Sequence, residues 1–394
     1  MAPGNRVEHV STSEFHRLAI VGGGLGGLTL ARILQKNGLD VVVFEREPSR
    51  NGRGQGGSLD LHLESGQFAL KKAGLEAEFI AIARPEGQGL RIVDKTGTVH
   101  WDESGAPETF DRPEVDRGRL RDLLLDSLKP GTVRWGHKLS GIEPAEHGCH
   151  VLRFENGASI TAGVLIGADG AWSCVRPLLT DAKPVHTGVS FVEIGIPDAQ
   201  QNHPTLATMV GHGLFMALSD DKGLLAQRNG DGRIRVYVAF RMAEGGLETS
   251  GIPFDRPAEA RHALLVRFAD WAPELTDLIR ACDDSFLPRP INMLPIGLTW
   301  DSRPGVTLIG DAAHLMSPFA GEGANLAMLD AAEFANALLA TRDPADAIKA
   351  YEAKMWFRAK EAAEESARNL EICIAPEAAA HMAELMASYQ AAAG

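Results

Sequence analysis

The segment Gly22-Gly23-Gly24-Leu25-Gly26-Gly27 places glycines at 22, 24 and 27 in GxGxxG spacing. That spacing suits a dinucleotide. Gly22 permits a tight strand-to-helix turn, Gly24 lets the backbone approach a pyrophosphate, and Gly27 allows close helix–strand packing. Free amides at the helix N-terminus then meet the pyrophosphate charge. Glu45, which ends the next apolar run, is placed to accept a hydrogen bond from a ribose hydroxyl. Two more groups of this kind follow. Gly167-Ala168-Asp169-Gly170 has Arg176 behind it, and Asp311 precedes a glycine loop, Gly321-Glu322-Gly323-Ala324. An Asp-Gly turn alone is mostly just a turn; its place between the other two makes it specific.

These residues need elements to hold them. Arg17–Val21 reads as a buried strand. Leu30, Ile33 and Leu34 then recur at helical spacing, opposite Arg32, Gln35 and Lys36, until Asn37-Gly38 stops the helix. Val41–Phe44 is the second strand of this βαβ unit. Val164–Ile166 leads into the Asp169 turn, and Val306–Ile309 delivers Asp311 at its carboxyl end. The helix opened by Gly321 and Gly323 has an apolar face of Ala331, Phe334, Ala335, Leu338 and Leu339. The glycine loop alone does not separate NAD from FAD.

Between Pro177 and Pro295 the pattern changes. Val189–Ile194 and Ile234–Phe240 alternate like strands, Gly230-Asp231-Gly232 signals a hairpin, and Arg261–Arg280 reads as one amphipathic helix. Beyond Pro344 the chain reads as a long helix, Ala345–Asn369, and a shorter one from Pro376. The expected fold is α/β: a Rossmann-type dinucleotide domain in two pieces (17–176 and 296–343), an antiparallel-sheet substrate domain (177–295) and C-terminal helices (344–394). Residues 1–16 read as a loose tail without the apolar core of a signal peptide.

Bulk properties set limits. The chain has 394 residues, enough for two domains sharing an interface, and a net charge of −13 that disfavours a nucleic-acid partner. No apolar stretch approaches the roughly 18 residues of a membrane span, so a cytoplasmic location is expected. The four cysteines make no CxxC and the histidines no paired-ligand spacing, so neither a dithiol centre nor a metal is expected. A monomer is expected.

The run Gly310-Asp311-Ala312-Ala313-His314 through Pro318-Phe319-Ala320-Gly321-Glu322-Gly323-Ala324-Asn325 resembles the flavin–ribityl motif of class A flavoprotein monooxygenases. The resemblance covers nearly the whole chain. It implies that Asp311 binds the ribityl chain of FAD and that Gly321, Glu322, Gly323 and Ala324 cover the pyrophosphate and flavin ring. Asp169 and Gly170 resemble the family's DG motif, linked to FAD and NAD(P)H. Gly22, Gly24, Gly27, Glu45 and Arg46 complete the expected FAD set. His314, beside Asp311, reads as support for the loop, and no catalytic acid or base is named.

The chain also resembles the tetracycline-inactivating flavin monooxygenases through Gly56-Gly57-Ser58-Leu59-Asp60-Leu61-His62, Ser65-Gly66-Gln67, Lys71-Lys72-Ala73-Gly74-Leu75 and Glu364-Glu365-Ser366. The resemblance implies that Asp60 and Arg117 contact FAD, that Arg53 contacts NADPH, and that the tail helix closes the substrate mouth. Taken singly, Arg53 or Arg117 reads equally as a solvated surface arginine. At positions for polar substrate contacts the chain departs from the pattern. Glu193 and Arg235 replace a glutamine and a histidine, Tyr237 replaces a glycine and Leu214 an arginine; Phe319 and Asn369 match. Glu193 and Arg235 either contact substrate or pair with each other, because a buried charge needs a partner.

One GxGxxG and no redox cysteine pair argue against a two-dinucleotide disulfide reductase, and isolated tryptophans against a flavin halogenase. The expected activity is therefore an FAD-dependent monooxygenase using O2 and NADPH or NADH. It would hydroxylate a bulky cyclic small molecule through a flavin C4a-hydroperoxide, tetracycline-like at the most specific. The alternatives are an aromatic, phenolic or polyketide hydroxylase of ordinary metabolism, and a non-catalytic flavin- or drug-binding protein.

Overall fold

The computed structural model describes residues 14–52, 54–103 and 110–393. Its first sheet has seven strands, with Glu14–Val21 at its centre. Parallel to it run Val42–Phe44 on one side and Ser159–Gly167 on the other, with Val133–Arg134 beyond Val42–Phe44. Ser159–Gly167 is long enough to take two neighbours along its far edge. His150–Phe154 pairs antiparallel with its first half, and Val306–Leu308 pairs parallel with its second. The register places Val21 beside Gly167 and Gly167 beside Leu308. Three turns therefore leave the carboxyl ends of adjacent parallel strands, the usual place for a ligand in such a sheet. The first strand begins at Glu14, inside the stretch expected to be tail. Its outer half is mostly polar and its one apolar side chain, Phe15, is exposed, which hides it from a hydrophobic pattern, but Glu14, Phe15 and His16 pair with Ile160, Thr161 and Ala162.

Glycine geometry follows from this packing. Gly22 has φ +112°, and a Cβ there would lie 2.2 Å from the Ala168 carbonyl oxygen. At Gly27 it would lie 2.2 Å from the Gly22 carbonyl oxygen, so helix Leu25–Lys36 can seat on the strand only through glycine.

The second sheet also has seven strands, in the order Leu287–Met293, Val185–Ile196, Ile234–Arg241, Lys222–Arg228, Leu214–Ser219, Leu90–Val93 and Val99–Asp102. The expected hairpin joins Lys222–Arg228 to Ile234–Arg241. The last two strands come from well before position 177. Leu90–Val93 joins by parallel pairing with Leu214–Ser219, a long-range contact that local patterning does not announce. Side chains alternate across the sheet. Val192, Ile194, Val236 and Val238 pack under helices including Pro204–Val210, Pro257–Arg267 and Pro273–Arg280. Phe191, Met216, Leu225 and Tyr237 line the other face, with Phe319, Leu370 and Ile374.

The single helix expected over 261–280 is two helices, Pro257–Arg267 and Pro273–Arg280. Proline at 273 suits a first turn and not a helix interior, and the buried rings of Phe268 and Trp271 meet edge-on at 4.7 Å in the bend. Pro344–Cys373 is one continuous helix. Asp343 caps it by accepting a hydrogen bond from the Ala345 amide at 2.9 Å. At about 45 Å long, it packs Ile348, Tyr351 and Met355 on the first core and Leu370 and Cys373 on the face of the second sheet.

Candidate dinucleotide site and substrate wall

The three strand-end turns are tied to one another. Glu45 is buried; its Oε2 accepts from the Gly23 amide at 2.7 Å and its Oε1 from the Glu47 amide at 3.0 Å. Arg121, nearly fully buried, donates to the Gly23 carbonyl at 3.3 Å and the Arg50 carbonyl at 3.0 Å. Arg176 donates to the carbonyls of Ala171 and Ala312 at 2.7 Å each and of Asp311 at 3.2 Å. One guanidinium thereby joins the Asp169 turn to the Asp311 turn. The Asp169 carboxylate accepts from the Cys174 amide at 2.7 Å. Burial lifts its pKa, opposed by hydrogen bonds from Ser173 and the following amides.

Space for a ligand lies where glycines face outward. A Cβ on Gly24 would meet nothing within 4 Å, and one on Gly323 would reach only Asp311 Oδ1, at 4.0 Å. Gly321, at φ +69°, lies against the Asp60 carboxylate, which would stand 3.2 Å from a Cβ there. Open backbone at Gly24 and Gly323, with Glu45 and Asp311 at the adjoining strand ends, fits the shape and donor set of FAD. Ala324 is half-buried in the first turn of helix Glu322–Ala340. Arg46 is largely exposed, 4.0 Å from Glu47. Arg117 opens helix Arg117–Asp126; its Cδ lies 3.9 Å from a Cβ placed on Gly56, and its amide donates to the Gly57 carbonyl at 3.1 Å. Arg53 lies outside the described residues.

Asn325 joins the Gly321 loop to the segment after Asp60. Its Oδ1 accepts from the amides of His62 at 3.0 Å and Gly66 at 3.2 Å, and its Nδ2 donates to the Asp60 carbonyl at 2.9 Å. His62 sits between Asp60 Oδ2 at 3.0 Å and Glu322 Oε1 at 3.2 Å. His314 pairs with the fully buried Asp330 at 2.6 Å. Asp330 also accepts from the Gly310 amide and from Arg358, each at 2.9 Å. Burial opposes both charges, but mutual attraction raises the pKa of His314 and lowers that of Asp330.

The wall facing these turns is the second sheet. Gly57 lies against it: a Cβ there would be 3.2 Å from Arg235 Cδ and 3.6 Å from the Tyr237 hydroxyl. Phe191 links Tyr237, at 5.5 Å between ring centroids, to Phe319, at 5.9 Å. Asn369 donates to the Phe319 carbonyl at 3.0 Å, fixing the turn before Gly321. Tyr237, Phe319 and Asn369 thus form one cluster. Glu193 and Arg235 are in direct ion-pair contact, and Arg289 takes the second carboxylate oxygen at 3.0 Å. Pairing is therefore the arrangement the structure shows for these two residues.

Sequence reading missed Arg289, Arg121, Gln227 and Glu114. Glu114 is buried, accepts from Ser58 and, at 2.7 Å, from Gln227, and lies near Asp60. None of the four sits in a glycine motif. Arg121 alone had a local signal, following Arg117 by one helical turn. Among the described residues no helix is long and apolar enough to cross a membrane.

The FAD binding domain family matches residues 16–282 and 298–366. The chain is 32% identical to a monooxygenase, asqM, of Emericella nidulans, over 95% of this chain and 99% of that protein. Among solved structures it resembles Klebsiella pneumoniae HpxO complexed with FAD and uric acid, at TM-score 0.76 and 22% identity, covering 95% and 92% of the two chains. It also resembles the tetracycline destructase Tet(55), at TM-score 0.73 and 20% identity, covering 96% and 95%. Likeness at that identity bears on fold. Family match and sequence relative together place the chain among the FAD-binding, flavin-dependent monooxygenases.

Proposed function

We propose that the protein uses NAD(P)H and O2 to hydroxylate a bulky cyclic substrate held between the Gly321 loop and the second sheet. The observation that carries this reading is the continuity of the two sites. Phe319 directly precedes the glycine loop and packs on Phe191 of the sheet, while Asp60 flanks the same loop from the other side. In this reading the amides of Gly22–Gly27 hold the pyrophosphate, Glu45 a ribose hydroxyl, and Asp311 the ribityl chain. Arg46, Arg117 and Asp169 line the remainder. Bound FAD would accept hydride and activate oxygen; the protein binds, orients and excludes water. Arg53 is assigned to the reductant, and Tyr237, Phe319 and Asn369 to the substrate. Residues 177–295, with the strands from 90–102, form the substrate-binding part, and the protein acts as a monomer.

Two substrate classes compete. Tetracycline-type antibiotics are favoured by the 56–62 motif, with Phe319 and Asn369. An aromatic, phenolic or polyketide substrate of ordinary metabolism is favoured by the Glu193–Arg235–Arg289 cluster, which replaces neutral hydrogen-bonders with charge. Fold alone does not choose between them. The deciding experiment incubates the protein with tetracycline and NADPH and seeks a product heavier by one oxygen atom. No such product at high enzyme concentration removes the antibiotic assignment. Ligand binding without NADPH oxidation, across a panel of cyclic substrates, would leave a binding protein.

A further inference from the structure

His62 is 2% exposed, and each ring nitrogen faces a carboxylate. Nε2 is 3.0 Å from Asp60 Oδ2 and Nδ1 is 3.2 Å from Glu322 Oε1. A neutral imidazole carries one N–H and one lone pair, so in this position its lone pair would face a carboxylate oxygen. Only the imidazolium donates to Asp60 from Nε2 while holding positive charge at ion-pair distance from Glu322. The two acids come from different motifs: Asp60 ends strand Ser58–Asp60, and Glu322 opens helix Glu322–Ala340.

We propose that His62 is a positioning residue, a buried cation that staples Asp60 and Glu322 together across the Gly321 loop, and that the protein's grip on FAD depends on its charge. This inference rests on FAD binding and is independent of the substrate. The groups packed around the ring are few. Asp60 and Glu322 carry charge, and the neutral Asn325 Oδ1 accepts from the His62 amide and from the Ser65 hydroxyl. Behind Asp60, on strand Glu114–Asp116, lies Glu114. Without the imidazolium, Asp60 and Glu322 repel each other beside a loop built to cover an anionic cofactor. Burial by itself pulls the imidazole pKa down, but the two carboxylates outweigh it and lift it to about 9. The staple is therefore closed at neutral pH and opens in the alkaline range.

The test follows release of FAD from the holoprotein by recovery of free-flavin fluorescence, from about pH 7.5 to about pH 10. The wild-type release rate should rise by about tenfold or more across that range. His62→Gln, which can still donate a hydrogen bond but carries no charge, should release quickly at neutral pH with a flat profile. Glu322→Gln leaves the ring one acid partner and should move the wild-type transition to lower pH. Alkaline ionisation of the flavin itself would appear alike in all three proteins. A pH-independent wild-type rate, or a His62→Gln profile that follows the wild type, would overturn the proposal. If His62→Gln does not fold, a Glu322→Gln transition at the wild-type pH would overturn it equally.

Discussion

Arg235 and Glu193 reach each other from neighbouring antiparallel strands, and Arg289 closes on Glu193 from the strand on its other side. Glu193 is buried, so removing a cation strands a charge. Arg235→Met should therefore destabilise the fold by about 3 kcal/mol, moderated by the remaining Arg289 pair. Urea denaturation of wild type, Arg235→Met, Glu193→Gln and the double variant would measure the coupling. Additive effects would show that the contact carries no energy of its own.

The glycines of the first loop should separate fold from cofactor. A methyl at position 27 meets the Gly22 carbonyl, so Gly27→Ala should cost about 3 kcal/mol in the apoprotein. A methyl at position 24 meets open space, so Gly24→Ala should leave apoprotein stability within about 1 kcal/mol. The same methyl would occupy the surface assigned to the pyrophosphate, so FAD affinity should fall by tenfold or more on that variant. Denaturation of the apoprotein and flavin-fluorescence titration report the two effects separately.

Glu352 should anchor the long helix. It is fully buried and accepts from Trp300 Nε1 at 3.0 Å, from Thr307 at 2.8 Å and from Ser302. Glu352→Ala leaves these donors without an acceptor and should cost about 3 kcal/mol or more. The rings of Trp300 and Trp356 meet edge-on at 5.6 Å, so near-ultraviolet circular dichroism should change with it.

Glu114 should make stability fall with rising pH. Burial lifts its carboxyl to about 7; Asp60 adds to the rise, and Ser58, Arg84 and Gln227 oppose it. A carboxyl with a folded pKa above its unfolded value of 4.5 binds its proton more tightly when folded. Its contribution is thus full below about pH 4.5 and lost as pH rises through about 7. Glu114→Gln should remove this dependence, gaining on the order of 1–3 kcal/mol relative to wild type at about pH 8. Thermal denaturation at several pH values would show it; parallel curves for the two proteins would refute it.

How much was legible beforehand depended on the range of the interaction. Gly22 turns at φ +112° within one contiguous GxGxxG run, so its turn, the following helix and Glu45 could all be read locally. Asp311 and the Gly321 loop were legible as a motif, and the hairpin at Gly230–Gly232 from turn chemistry. The helix break before Pro273 was also written in the chain, but the apolar spacing across it masked the stop.

By itself, then, the amino-acid sequence determined the strand-end turns, the helix they open and the dinucleotide they suit, because these obey backbone sterics over a few residues. Only tertiary structure decided which strands lie side by side. Registry brings Val21, Gly167 and Leu308 into one row, recruits Leu90–Val93 to the second sheet, and sets Arg289 on Glu193 and His62 between Asp60 and Glu322. Apart from His62 with Asp60, these pairings join residues far apart in the chain, and the partner of a buried charge is chosen by packing, which no local pattern encodes.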